Sequence, residues 1–248
     1  MIAHAEPVMG TVVSFLIDPR GLASEAVEAA LVEAIAEFHR LDDQFSLWKP
    51  DSELSRRRAG QGQPSSELMR EVETLCAEAC ELSRGFFDPW ALNGGFDPTG
   101  LVKGFAVERS LAILSDCGVS AALVNAGGDI AVLPDTTYRV GVRHPERSDA
   151  LCGVVSVDSS IATSGIYERG NHLIHPFGGA IAAVSATVVG GRLALADALA
   201  TALAVGGTEV LFVLEQIAGV EGFYITADGA LFASSGMTFC EDGDAADC

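Results

Sequence analysis

The sequence predicts an α+β fold: a single large domain in which a mixed, largely antiparallel sheet packs with helices around a central ligand cleft. Three observations carry this. Strand-like and helix-like stretches are interleaved along the chain, and hairpin-length connections separate many of the strand-like ones, which favours α+β over a doubly wound parallel sheet. The chain has 248 residues and is 49% hydrophobic, enough to bury a large core. Residues 191–207, GRLALADALATALAVGG, are almost entirely Ala, Leu and Val beyond Arg192. A helix that apolar must be buried, and Gly206-Gly207 can end it in a left-handed cap.

The other elements follow in chain order. Residues 9–17, MGTVVSFLI, alternate loosely with β-branched residues and predict a strand. Residues 24–41 space Val27, Leu31, Ile35 and Phe38 as a helix and are followed by Asp42-Asp43. Residues 45–55, FSLWKPDSELS, predict a loop in which Pro50 and Asp51 turn the chain and Asp51 or Ser52 caps a short helix. A second long helix is expected over 65–84. Residues 85–104 are a loop dense in Gly, Pro and Asp, leading to a helix over 105–117. Strands are expected at 121–124, 130–133, 138–143, 153–161 and 183–189, an irregular polar loop at 167–176, a helix at 209–218, and a closing hairpin from 222–225 and 231–234. No repeat recurs at a solenoid period.

Composition removes several function classes. A net charge of −19 with only 15 Lys and Arg argues against nucleic acid and against anionic membranes as partners. Any anionic ligand must then be held by local devices. No apolar run is long enough for an integral membrane segment, and the first residues have neither a signal-peptide pattern nor a lipid-attachment Cys, so a soluble, cytoplasmic protein is expected. The six cysteines form no CxxC pair and are expected to be reduced. The GxGxxG, Walker A and GxSxG sequences are absent, which removes the commonest nucleotide and hydrolase readings.

Four places can carry chemistry. Asp197 and Thr201, four residues apart on the buried helix, share one face. Their carboxylate and hydroxyl suit Mg²⁺, which keeps waters and takes further oxygens from phosphates. Alternatively, Asp197 caps a neighbouring loop and Thr201 bonds back to its own helix. Gly100 and Gly104 flank Lys103 just before the helix expected at 105, an arrangement that suits a phosphate; a tight loop with a solvated Lys103 is the plainer reading. Gly127 and Gly128, between Asn125 and Asp129, permit close backbone contact with a ligand or make an ordinary β-turn. Finally, Ser164, Gly165 and Arg169 lie near His172 and His175, either of which can serve as a base or sit solvated in a loop.

Read in order, MGT at 9–11, FSLWKPDSELS at 45–55, FDPTGLVKGFAVER at 96–109, VNAGGDI at 124–130, ATSGIYER with HLIHP at 162–176, and ADALATAL at 196–203 resemble the FAD:protein FMN transferase family, the ApbE-type flavin transferases. The resemblance spans almost the whole chain. It implies one domain over residues 1–240; the acidic composition of residues 241–248 marks them as a disordered tail. It implies a Mg²⁺-dependent reaction in which FAD is split, FMN is attached to a threonine of an acceptor protein, and AMP is released. It also implies metal ligands at Asp197 and Thr201, with a backbone carbonyl of residues 102–103 beside them. Lys103, Gly127, Gly128, Asp129, Ser164 and Gly165 would line the FAD site, with Trp48 and its loop near the adenine or ribose. Asp197 and His172 would be catalytic. His172 stands where the family's H-x-x-D-P pattern has its histidine, and His175 replaces the aspartate. An FAD pyrophosphatase, with water as acceptor, and a non-catalytic FAD carrier are the rival readings.

Overall fold

The computed structural model describes residues 1–61, 64–91, 94–147, 149–165 and 174–240. The expected tail at 241–248 and His172 lie outside them. The chain opens with β1 (Ile2–Val8) and β2 (Thr11–Asp18), then α1 (Ser24–Phe45), α2 (Glu53–Arg58), α3 (Glu67–Leu82) and α4 (Thr99–Asp116). The strands β3 (Ala121–Ala126), β4 (Asp129–Val132), β5 (Tyr138–Arg143), β6 (Leu151–Val157), β7 (Ser160–Gly165) and β8 (Ser185–Val189) follow. Helices α5 (Leu193–Gly206) and α6 (Thr208–Leu214) precede β9 (Glu221–Ile225) and β10 (Leu231–Ala233). Eight strands form one sheet in the order β1-β2-β3-β4-β7-β8-β9-β10, while β5 and β6 pair separately. Every described pairing is antiparallel.

Side-chain alternation divides the sheet into two faces. Phe15, Val124, Ala162, Ala186 and Val188 join the main core with α1, α4 and α5, whereas Ile130, Ile161 and Phe223 pack with Val142, Val155 and Val157 of the β5–β6 hairpin. The expected strand at 153–161 is therefore two strands. The bend at Asp158-Ser159 lets β6 stay with the hairpin while β7 enters the sheet.

Several boundaries move for identifiable reasons. Helix α1 continues through Asp42 and Asp43 to Phe45, because Leu41 and Phe45 extend its buried stripe and Lys49 pairs with both aspartates. Of the two candidate caps for α2, Ser52 does the work, accepting the Ser55 N–H at 2.9 Å. Strand β1 has little of the β-branched character that marks a strand. Its Pro7 is tolerated because β1 is an edge, and it is held by full pairing with β2. The α1–α4 seam is tied by Glu37: burial opposes its charge, but hydrogen bonds from Arg40 and Arg109 hold its carboxyl below the usual range.

Helix α5 is buried along nearly its whole length, as its composition requires. It has no N-cap side chain of its own; Glu108 of α4 accepts the Ala194 N–H at 3.1 Å and pairs with Arg192 at 2.9 Å. The expected cap at its end takes another form. Gly207 has φ 52 and ψ −123, positive in φ but outside the left-handed helical region, and the chain passes straight into α6. Helices α4 and α5 approach so closely that a Cβ on Gly104 would lie 2.5 Å from the Leu193 carbonyl oxygen. Gly104→Ala is thus expected to destabilise the protein by about 1–3 kcal/mol, read as a lowered midpoint in thermal unfolding. An unchanged midpoint would mean that the two helices are not locked in contact.

Free thiols are present at Cys76, Cys80, Cys117, Cys152 and Cys240, and burial pushes the Cys76 thiol far above its ordinary range. Among the described residues no helix is long and apolar enough to cross a membrane.

Candidate active site

Ser164 lies next to the end of β7 on the face turned toward α5, and α5 presents Asp197 and Thr201 to it. The Ser164 and Thr201 hydroxyls are 2.9 Å apart. Asp197 is only 3% exposed, and its Oδ2 accepts the Gly104 N–H of α4 at 3.2 Å. Both polar groups of the apolar helix therefore reach other elements rather than closing on their own turn. The first turn of α4 can approach them because Gly100 has no side chain: a Cβ there would lie 3.3 Å from Thr201 Oγ1 and 3.2 Å from the Phe87 ring.

This part of α4 differs from expectation. The helix begins at Thr99, with a kink at Gly100, so Lys103 sits inside it rather than in a loop before it. Gly100 and Gly104 serve close packing between elements, and the Gly104 amide is taken by Asp197. Lys103 is not a solvated loop residue: it is 14% exposed and its ammonium pairs with Asp129 Oδ2.

Two lobes of one cleft open from this point. The lining of the first includes Phe86, Phe87, Asp88, Asp97, Lys103, Ser164, Gly165, Asp197 and Thr201. The second is bordered by Gly10 and Thr11 at the β1–β2 turn, Asn125, Gly127 and Gly128 at the β3–β4 turn, and residues 140–143 of β5. Lys103 and Thr163 line both. The lobes meet where β4 and β7 part, since those strands are paired at Ile130↔Ile161 and Ala131↔Ser160 and the ladder stops there.

Gly127 and Gly128 make both of the features open to them. They form a two-residue hairpin turn with φ of 64 and 103, and they line the second lobe. Gly127 also lies against Thr11, whose Oγ1 would be 2.5 Å from a Cβ there. Asp129, by contrast, lines neither lobe. Fully buried, it stands behind Lys103 and holds it. Trp48 is 93% exposed and is not among the residues lining either lobe; its loop is fixed instead by Lys49, Ser52 and Ser55. His175 Nδ1 accepts the Phe177 N–H at 3.2 Å and its ring packs edge-on against Phe86, so it shapes the loop at the mouth of the first lobe. Gly10, Thr11, Thr163 and Arg143 were not singled out by residue pattern. Gly10, Thr11 and Thr163 stand inside quoted motifs, but only the third dimension puts them on a common cleft.

The charges lining the first lobe partly cancel. Asp97 pairs with Arg58 at 3.2 Å and Lys103 pairs with Asp129, so among the described lining residues no further cation faces the Asp88 and Asp197 carboxylates. Asp88 Oδ1 accepts the Trp90 and Ala91 amides. Asp197 with Thr201 is an all-oxygen donor set. Among the described residues no group of three or more His, Cys, Asp or Glu is arranged to hold a metal. Mg²⁺ fits this set, because it is held by few carboxylates and completes its shell with water and phosphate oxygens.

The model of the ApbE family matches residues 9–93 and 92–224 of this chain. The chain belongs to the ApbE family. Two curated relatives carry the name FAD:protein FMN transferase. One from Rhodobacter capsulatus is 35% identical over 151 residues, covering 54% of this chain and 29% of that protein. The other, from Treponema pallidum (strain Nichols), is 32% identical over 169 residues, covering 57% of this chain and 46% of that protein. The matches thus span less than half the length of these relatives. Among solved structures, the ApbE protein of Thermotoga maritima superposes with a TM-score of 0.80 at 21% identity, covering 94% of this chain and 97% of that one. The flavin transferase ApbE of Vibrio cholerae gives 0.73 at 22% identity, with coverages of 94% and 97%. These likenesses carry the ApbE fold.

Proposed function

We propose that this chain is a Mg²⁺-dependent FAD:protein FMN transferase. The observation that carries the proposal is the two-lobed cleft whose lobes meet at Lys103 and Thr163, beside Asp197, Thr201 and Ser164. A dinucleotide has two bulky ends joined by a pyrophosphate, and a cleft with two chambers and a polar waist suits that shape. Among the described residues, the cation that lines both lobes, Lys103, is already paired with Asp129. An anionic pyrophosphate therefore needs a cation brought with it, and Asp197 and Thr201 supply oxygens of the right kind to hold Mg²⁺, with a backbone carbonyl of residues 102–103 as a further ligand. When bound, Mg²⁺ would neutralise phosphate charge and stabilise the departing phosphate.

The chain's own residues do the rest by positioning. Lys103, held by Asp129, donates to a phosphate oxygen at the waist; Gly127 and Gly128 let backbone approach the half of FAD in the second lobe; Ser164 and Gly165 border the half in the first. The acceptor's threonine oxygen bonds to the FMN phosphorus as the bond from that phosphorus to the bridging oxygen breaks. AMP leaves with the electron pair, and the hydroxyl proton passes to a base. His172 is assigned that role from its place in the sequence pattern, and His175 the role of shaping the loop.

The test is AMP release from FAD with Mg²⁺ and a threonine-bearing acceptor, combined with flavin fluorescence that survives denaturation. AMP with a fluorescent acceptor is expected. AMP with no labelled acceptor would favour a pyrophosphatase, and FAD binding without AMP would favour a carrier. In the same assay His172→Ala is expected to slow single-turnover transfer by roughly 10² while FAD binding stays near wild type. His175→Ala should act mainly on binding. A His172→Ala protein with the wild-type rate and pH profile would remove it as the base.

A further inference from the structure

We propose that Thr187 is a positioning residue that aims the Thr163 hydroxyl at the phosphate bridge of the substrate. This rests on the dinucleotide-cleaving reading above and assigns a role to two residues outside it. Among the described residues Thr163 and Lys103 line both lobes, so a substrate with a half in each lobe must pass its phosphate bridge by Thr163. Directly across the β7–β8 ladder stands Thr187, and the two Oγ1 atoms are 3.0 Å apart. Thr187 is fully buried and lines neither lobe. Whatever it contributes to the cleft therefore passes through Thr163.

A hydroxyl has a single proton, which gives the pair two directions. If Thr163 donates to Thr187, it turns lone pairs toward the waist, where a phosphate oxygen would be repelled. If Thr187 donates to Thr163, the Thr163 proton is free to point at that oxygen. A phosphate at the waist selects the second direction, and each donor strengthens the next along the chain. The donor is then already in place when charge develops on the bridging oxygen as the bond to the FMN phosphorus breaks, so it acts on the transition state more than on ground-state binding. Lys103, which also lines both lobes, likewise has a fully buried partner behind it, the Asp129 carboxylate that accepts from it. Cross-strand threonine pairs also occur simply as sheet contacts, so the test must separate stability from rate.

The experiment compares wild type, Thr163→Val, Thr187→Val, Thr187→Ser and the double Val variant for kcat and KM of AMP release, FAD dissociation constant and melting temperature. Thr163→Val is expected to lower kcat by about 10², the scale of one lost transition-state donor. Thr187→Val should lower kcat by about tenfold, a smaller step because it acts through a partner, with KM and FAD binding little changed. Thr187→Ser should restore kcat, and the double variant should be no slower than Thr163→Val alone, since the two act as a unit. An unchanged kcat in Thr187→Val, or effects that multiply in the double variant, would overturn the inference while leaving the transferase reading standing. A wild-type protein that releases no AMP would overturn both.

Discussion

Asp197→Ala is expected to reduce Mg²⁺-dependent turnover by about 10³ or more, the loss of several kcal/mol of charge stabilisation, while the protein remains folded. The fold should survive because α5 is already rich in Ala and Leu, and alanine is the best helix former. What the fold loses is one acceptor for the Gly104 amide, about 1–3 kcal/mol. Asp197→Asn sharpens the result: its side-chain carbonyl can still accept that N–H, so stability should return toward wild type while metal binding stays impaired. The measurement is AMP release against Mg²⁺ concentration, with melting temperature followed in parallel. Full activity at limiting Mg²⁺ in either variant would mean that the carboxylate only ties α4 to α5.

Lys103→Ala should cost both stability and FAD affinity. Removing the lysine leaves the fully buried Asp129 carboxylate without the ammonium that pairs with it, and breaking a buried pair from one side costs about 3–5 kcal/mol. Read as a sequence, Lys103 suggests a screened attraction strongest at low salt. Because it reaches the cleft already paired, the affinity lost in Lys103→Ala should instead vary little with ionic strength. The double variant Lys103→Ala with Asp129→Asn removes both charges, so it should recover much of the melting temperature without recovering FAD binding. If the double variant binds FAD as wild type does, Lys103 is a structural residue only.

Much of the candidate cleft's lining was legible because its residues are chemically out of place. Asp197 and Thr201 stand out on a helix made of Ala, Leu and Val, and burial of that helix forces their side chains onto partners. Lys103 stands out in a chain of charge −19. Adjacent glycines at 127 and 128 stand out for the positive φ that both adopt. Asp129 was legible as important but not in its role, since whether a carboxylate faces a ligand or a lysine depends on which way β4 is turned. Trp48 shows the converse: its motif is plain in the sequence, yet it is exposed and is not among the described residues that line either lobe.

By itself, the sequence determined the alternation of strands and helices, the burial of α5 and the chemistry of its two polar residues, because hydrophobic period and composition are local properties. The family resemblance was carried by motif order along the chain. Only the tertiary structure decided that β5 and β6 leave the sheet, that α4 begins early enough to carry Lys103, and that Thr163 stands at the waist between two lobes with Thr187 behind it. Each of those depends on contacts between residues far apart in sequence. Strand register and helix packing bring together groups whose separate stretches carry no trace of one another.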